Sequence, residues 1–96
     1  MNDAELRALL LDCLLLWEID GRVSVGDAGL TIDTAEGAFA LERADTDMRP
    51  ARWLYQTPER RDAKRPPRVA PSIVAALSGL RNAMGGARGN RVRIGV

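Results

Sequence analysis

The spacing of apolar and polar positions along the chain predicts two amphipathic helices and several short strands. Residues 3–18 repeat apolar side chains at helical spacing, and Asn2 followed by Glu5 has the pattern of an N-terminal capping box. We expect one broad flank of this helix to face the core, and it contains Leu6, Leu9, Leu10, Cys13, Leu14, Leu16 and Trp17. The chain therefore begins with a predicted helix that has a wide apolar side.

The next region has the period of two that is typical of β-strands. Residues 22–25, 30–34 and 38–43 alternate apolar with polar side chains, and short connections containing glycine join them. This arrangement predicts an antiparallel meander. Residues 52–56 include Trp53, Leu54 and Tyr55, which favour strands, so they are a candidate fourth strand.

The last third of the chain predicts a loop, a helix and a short tail strand. Residues 57–71 combine prolines with basic side chains and lack apolar periodicity, so we expect a flexible basic loop. A helix is predicted from Ser72 to Met84, with Gly85 and Gly86 ending it. Residues 91–96 alternate as a last strand would.

Together these elements predict one domain that spans residues 1–96. Its class is α+β: a small two-layer domain in which two helices pack on one face of an antiparallel sheet of three to five strands. The predicted order is α-β-β-β-(β)-α-β, in which the bracketed strand is residues 52–56.

Composition excludes several kinds of catalytic and metal site. The chain of 96 residues has no histidine and a single cysteine, Cys13, which we expect to be a buried structural residue. Zinc sites, disulfides within the chain and nucleophiles that rely on histidine are therefore ruled out. No carboxylate pair stands out as a general acid and base. We expect no enzyme activity, cofactor or metal; an enzyme completed by a partner chain remains a third alternative.

The first residues do not resemble a secretory signal. Their first charges are Asp3 and Glu5, where such a signal is positive, and the apolar run that follows is too short to span a bilayer. The single cysteine fits a reducing compartment. We therefore expect a cytoplasmic protein without a membrane partner.

A second apolar side of the first helix predicts self-association. Leu11, Leu15 and Ile19 lie away from the predicted core flank, and a two-layer domain covers only one face of a helix. We therefore predict a non-catalytic protein–protein interaction module that forms a homodimer, with these three residues at the interface. The competing explanation is that the second helix or the loop covers this face within one chain.

Charge is divided unevenly and favours an alternative function. Residues 1–48 contain eleven acids and three bases, and residues 49–96 contain eleven bases and two acids. This asymmetry indicates either an anionic partner or neutralisation of one half by the other. The alternative function is nucleic-acid binding. Five basic residues follow Trp53 and Tyr55 in the sequence and are the expected phosphate contacts: Arg60, Arg61, Lys64, Arg65 and Arg68.

Overall fold

The protein is an antiparallel five-stranded sheet with helices across one face. The structure, a computed structural model, describes the backbone of residues 1–94 and the side chains of residues 1–47 and 49–85. The helices are α1 (Asp3–Leu16), α2 (Pro58–Asp62) and α3 (Ile73–Ile94). The strands are β1 (Gly21–Val25), β2 (Leu30–Thr34), β3 (Gly37–Arg43), β4 (Trp53–Gln56) and β5 (Arg68–Ala70). They lie in sequence order across the sheet, so the predicted α+β class is confirmed.

A local sequence signal accounts for the start of α1, and a backbone turn at Glu18 ends the helix. The Asn2 side chain accepts a hydrogen bond of 2.8 Å from the Glu5 amide, and the Glu5 carboxylate accepts one of 3.3 Å from the Asn2 amide. This is the predicted capping box. At the other end Glu18 adopts a left-handed φ of 58°. The Glu18 and Ile19 amides then donate to the carbonyls of Leu15 and Leu14, so the helix ends two residues before the prediction.

The core lies between one face of the sheet and the two longer helices. Val23, Ile32 and Phe39 are neighbours in register across the first three strands. Apolar side chains of α1 and α3 pack on the same cluster. Its buried members are Leu6, Leu10, Leu14, Val23, Leu30, Ile32, Phe39, Leu41, Ala70, Ala76, Leu80 and Met84.

The region predicted as a loop, residues 57–71, contains regular structure. Its first turn is α2, with Thr57 as the cap and Pro58 at the first helical position. Its end is β5, which pairs with β4 and supplies the fifth strand. Residues 53–56 of the candidate fourth strand are confirmed as β4, whereas the flexibility of residues 57–71 stays a prediction.

The prediction for the tail is wrong. Helix α3 continues past Gly85 and Gly86 to Ile94, so residues 91–94 are helical rather than a strand; residues 95–96 lie outside the described part. A glycine costs only about 1 kcal/mol relative to alanine in a helix interior, which lowers helix stability without breaking the helix. The predicted start is confirmed, because the Ser72 hydroxyl accepts a hydrogen bond from the Ala75 amide.

Candidate functional site

The outer side of α1 exposes two of the three residues predicted at a dimer interface. Leu15 is 79% exposed and Leu11 is 36% exposed. Ile19 is half-buried and packs against the core, because the turn that ends α1 brings it back towards the domain. The exposed apolar surface of α1 therefore includes Leu11 and Leu15 but not Ile19.

Two exposed alanines extend this surface towards the start of the helix. At about 100° per residue, Ala4, Ala8, Leu11 and Leu15 fall within an arc of about 60°. All four are exposed, and we call them the α1 stripe.

The prediction that Leu16 lies on the core flank is wrong. Leu16 is 80% exposed and lies about 100° around the helix from Leu15. Helix α1 buries only a narrow ridge one turn apart, Leu6, Leu10 and Leu14, because it packs over β1 at the edge of the sheet.

The five basic residues singled out from the sequence lie on α2 and on the chain that leads into β5. Arg61, Lys64, Arg65 and Arg68 are exposed, and Arg60 is half-buried. The Arg60 guanidinium donates from Nε and Nη2 to the Pro66 carbonyl, at 3.1 and 2.9 Å. This pair of hydrogen bonds joins α2 to the stretch of chain just before β5.

Backbone hydrogen bonds also hold Arg65 and Arg68. The Arg65 amide donates a hydrogen bond of 2.8 Å to the Arg60 carbonyl, and the Arg65 carbonyl accepts a hydrogen bond of 2.9 Å from Nε2 of Gln56. Arg68 is the first residue of β5 and lies opposite Tyr55 of β4 in the antiparallel register. The basic side chains therefore extend from a hydrogen-bonded backbone.

Arg60, Arg65 and Arg68 form part of one wall of a cleft whose other wall is α3. The cleft has a volume of about 580 Å³ and we call it the arginine cleft. Its lining consists of Tyr55, Thr57, Glu59, Arg60, Ala63, Arg65, Arg68, Gly79, Asn82 and Ala83. Arg61 and Lys64 do not line it. Three arginines and one glutamate give the lining a formal net charge of +2.

The Tyr55 ring packs directly on the backbone of α3 at Gly79. A Cβ atom added at Gly79 would lie 2.9 Å from Cε2 of Tyr55 and still closer to Cζ and the hydroxyl oxygen. Such distances are shorter than van der Waals contact. The absence of a side chain at Gly79 thus lets the ring sit between β4 and α3 at the edge of the cleft.

Ion pairing does not link the acidic and basic halves within the described residues. The single ion pair there joins Arg43 to Asp3 at 2.8 Å, and both residues belong to the acidic half. Arg43 also lies 5.4 Å from the ring centre of Trp53, a cation–π contact. In this part of the chain no carboxylate forms an ion pair with Arg60, Arg65 or Arg68.

Cys13 is a half-buried free thiol rather than a fully buried one. Burial, followed by the negative charge of Asp12, raises the pKa of the Cys13 thiol. A raised pKa keeps the thiol protonated near neutral pH and therefore weakly nucleophilic.

The described residues contain neither a metal-binding cluster nor a membrane-spanning helix. No group of three or more histidine, cysteine, aspartate or glutamate side chains there is placed to hold a metal ion. Within the same part of the chain, no helix combines the length and apolar character needed to cross a bilayer.

Sequence reasoning missed the contribution of α3 to the arginine cleft. Gly79 and Asn82 carry no local signal, because they lie in a helix whose apolar spacing marks only its buried side. No known protein family, curated protein or solved structure matches the chain. The candidate sites therefore depend on the geometry of this chain alone.

Proposed function

We propose that this protein is a small non-catalytic interaction module that forms a homodimer through the α1 stripe. The observation that carries the proposal is the exposure of Leu15, 79%, on the outer side of a helix that already buries a separate ridge in the core. Exposed apolar residues in a continuous row are typical of interaction surfaces. A cytoplasmic location is part of the proposal, since the free Cys13 thiol suits a reducing compartment.

A second copy of the chain suits the stripe because the stripe complements itself. Its two alanines lie towards the start of α1 and its two leucines towards the end. In an antiparallel twofold pair, Leu15 of each helix meets Ala4 of the other, and Leu11 meets Ala8. Small residues opposite large ones let two helices approach closely. Full burial of an exposed leucine contributes about 1.5–3 kcal/mol, which applies to Leu15; Leu11, which is only 36% exposed, contributes less.

The test compares two neighbouring leucines of equal exposure. Leu15 lies on the stripe and Leu16 lies off it, with exposures of 79% and 80%. Mass in solution is measured by light scattering over a range of concentrations for the wild type, Leu15→Asp and Leu16→Asp. We expect a dimeric wild type, a folded monomer for Leu15→Asp and a dimer for Leu16→Asp. A wild type that stays monomeric at high concentration, or a Leu15→Asp variant that stays dimeric, contradicts the proposal.

Nucleic-acid binding is the second candidate. This candidate is favoured by four exposed basic side chains on one segment, none of which forms an ion pair among the described residues: Arg61, Lys64, Arg65 and Arg68. Affinity for an oligonucleotide should then fall with salt by about 0.7–0.9 log units per log unit of salt for each phosphate contacted. Absence of binding to single- and double-stranded oligonucleotides at low salt removes this candidate.

A further inference from the structure

We propose that the arginine cleft binds a small molecule that carries a phosphate monoester. The cleft shares no residue with the α1 stripe, so the proposal is independent of self-association. It differs from nucleic-acid binding because it uses only the basic residues that line the cleft. Arg60, Arg65 and Arg68 line it, whereas Arg61 and Lys64 do not.

The charge of the cleft matches a phosphate monoester. Its lining has a formal net charge of +2, and a phosphate monoester carries about −1.5 to −2 at neutral pH. Arginine forks bind phosphate oxygens through paired N–H donors. Among the described residues, no carboxylate forms an ion pair with Arg65 or Arg68 that an incoming anion would have to displace.

The Arg60 guanidinium and the backbones of Arg65 and Arg68 are held in place before any ligand arrives. Arg60 is fixed by its two hydrogen bonds to the Pro66 carbonyl, and its Nη1 donates to none of the described residues. The amide and the carbonyl of Arg65 are both hydrogen-bonded, and the backbone of Arg68 is held by the β4–β5 pairing. The fixed Arg60 guanidinium loses less conformational freedom on binding, and the fixed backbones of Arg65 and Arg68 keep their side chains beside the cleft, which favours affinity for a small ligand.

The size and the remaining lining favour a small molecule over a bare ion. The cleft volume of about 580 Å³ lies within the range of roughly 300–1,000 Å³ that is usual for small-molecule sites. Tyr55 offers a ring edge and a hydroxyl, and Asn82 offers an amide on the opposite wall. An organic group attached to the phosphate therefore has both apolar surface and hydrogen-bonding partners.

The experiment titrates the full chain with a nucleoside monophosphate, the same nucleoside without phosphate, inorganic phosphate and a single-stranded oligonucleotide, by calorimetry. Arg65→Ala/Arg68→Ala removes two bases from the cleft. Arg61→Ala/Lys64→Ala removes the same charge from the same segment outside the cleft and serves as the matched control. Thermal unfolding followed by circular dichroism verifies that both variants are folded.

We expect saturable binding of the monophosphate, weaker binding of inorganic phosphate and no binding of the nucleoside. The cleft variant should lose roughly 10- to 100-fold in affinity, since each charged hydrogen bond is worth about tenfold, and the control should change less than about twofold. Absence of monophosphate binding overturns the proposal. Equal losses in the two variants, or binding of the oligonucleotide alone, also overturn it because they indicate a diffuse polyanion surface. If the cleft variant does not fold, Arg68→Gln replaces it under the same criteria.

Discussion

The contact between Tyr55 and Gly79 makes a quantitative prediction about how β4 and α3 pack. Gly79→Ala adds a methyl group 2.9 Å from Cε2 of Tyr55 and closer still to two other ring atoms. The ring must then move, and inserting a methyl into a packed contact costs about 1–3 kcal/mol. The same substitution also favours the helix by about 1 kcal/mol, because alanine has the higher helix propensity.

Gly85 separates these two effects, since it lies in the same helix and a Cβ added there meets nothing within 4 Å. Gly85→Ala therefore gains the propensity of alanine without the clash. We expect Gly79→Ala to be less stable than Gly85→Ala by about 1–3 kcal/mol, which is the clash alone. For a domain of this size the melting temperatures should differ by roughly 4–8 °C per kcal/mol.

The assay is urea denaturation followed by tryptophan fluorescence, with each glycine variant also made in a Tyr55→Ala background. Removing the ring should abolish the difference between the two glycine variants, because the clash then has no partner. Equal stabilisation by Gly79→Ala and Gly85→Ala in the wild-type background would refute the packing of Tyr55 on α3. A difference that persists without the ring would assign the effect to another part of α3.

Three further predictions concern the ends of helices and the thiol. Glu18→Gly should raise the free energy of unfolding by about 0.5–1 kcal/mol in urea titrations, because φ at this residue is 58°. Arg60→Ala should destabilise by about 1 kcal/mol and speed amide exchange at residues 64–65, whereas the exposed Arg61→Ala should do neither. Iodoacetamide should alkylate Cys13 more slowly in the folded protein than in urea, because folding raises the pKa of the thiol. The stability that the protonated thiol contributes is complete below the thiol pKa of the unfolded chain. It is lost as pH rises through the thiol pKa of the folded protein. Equal alkylation rates would contradict that shift.

Much of the fold follows from short-range pattern. The capping box of α1, the three-strand meander and the Ser72 cap of α3 all involve residues at most 13 positions apart. Such signals depend on local backbone hydrogen bonding and on alternation between two faces, which one sequence contains in full. Leu30, Ile32, Phe39 and Leu41 are buried as their alternation predicts.

Tertiary packing decided which side of each helix is covered. Leu14 and Leu16 are equally apolar, yet Leu14 is 4% exposed and Leu16 is 80% exposed. Helix periodicity predicts only that both lie near the core side. The narrow contact of α1 with the edge strand β1 selects one of them, and the position of a helix over a sheet depends on residues distant in sequence.

The concentration of basic residues in residues 57–71 is visible in the sequence, but the sequence does not show that three of them line a cleft. The proline-rich composition predicts a loop. Strand β5 escapes this prediction because it has only three residues and forms only through its pairing with β4. That pairing places Arg68 opposite Tyr55, and the ring then meets α3 at a glycine 24 positions further along the chain. The arginine cleft exists because three segments that are separate in sequence pack together, and no local pattern encodes that contact.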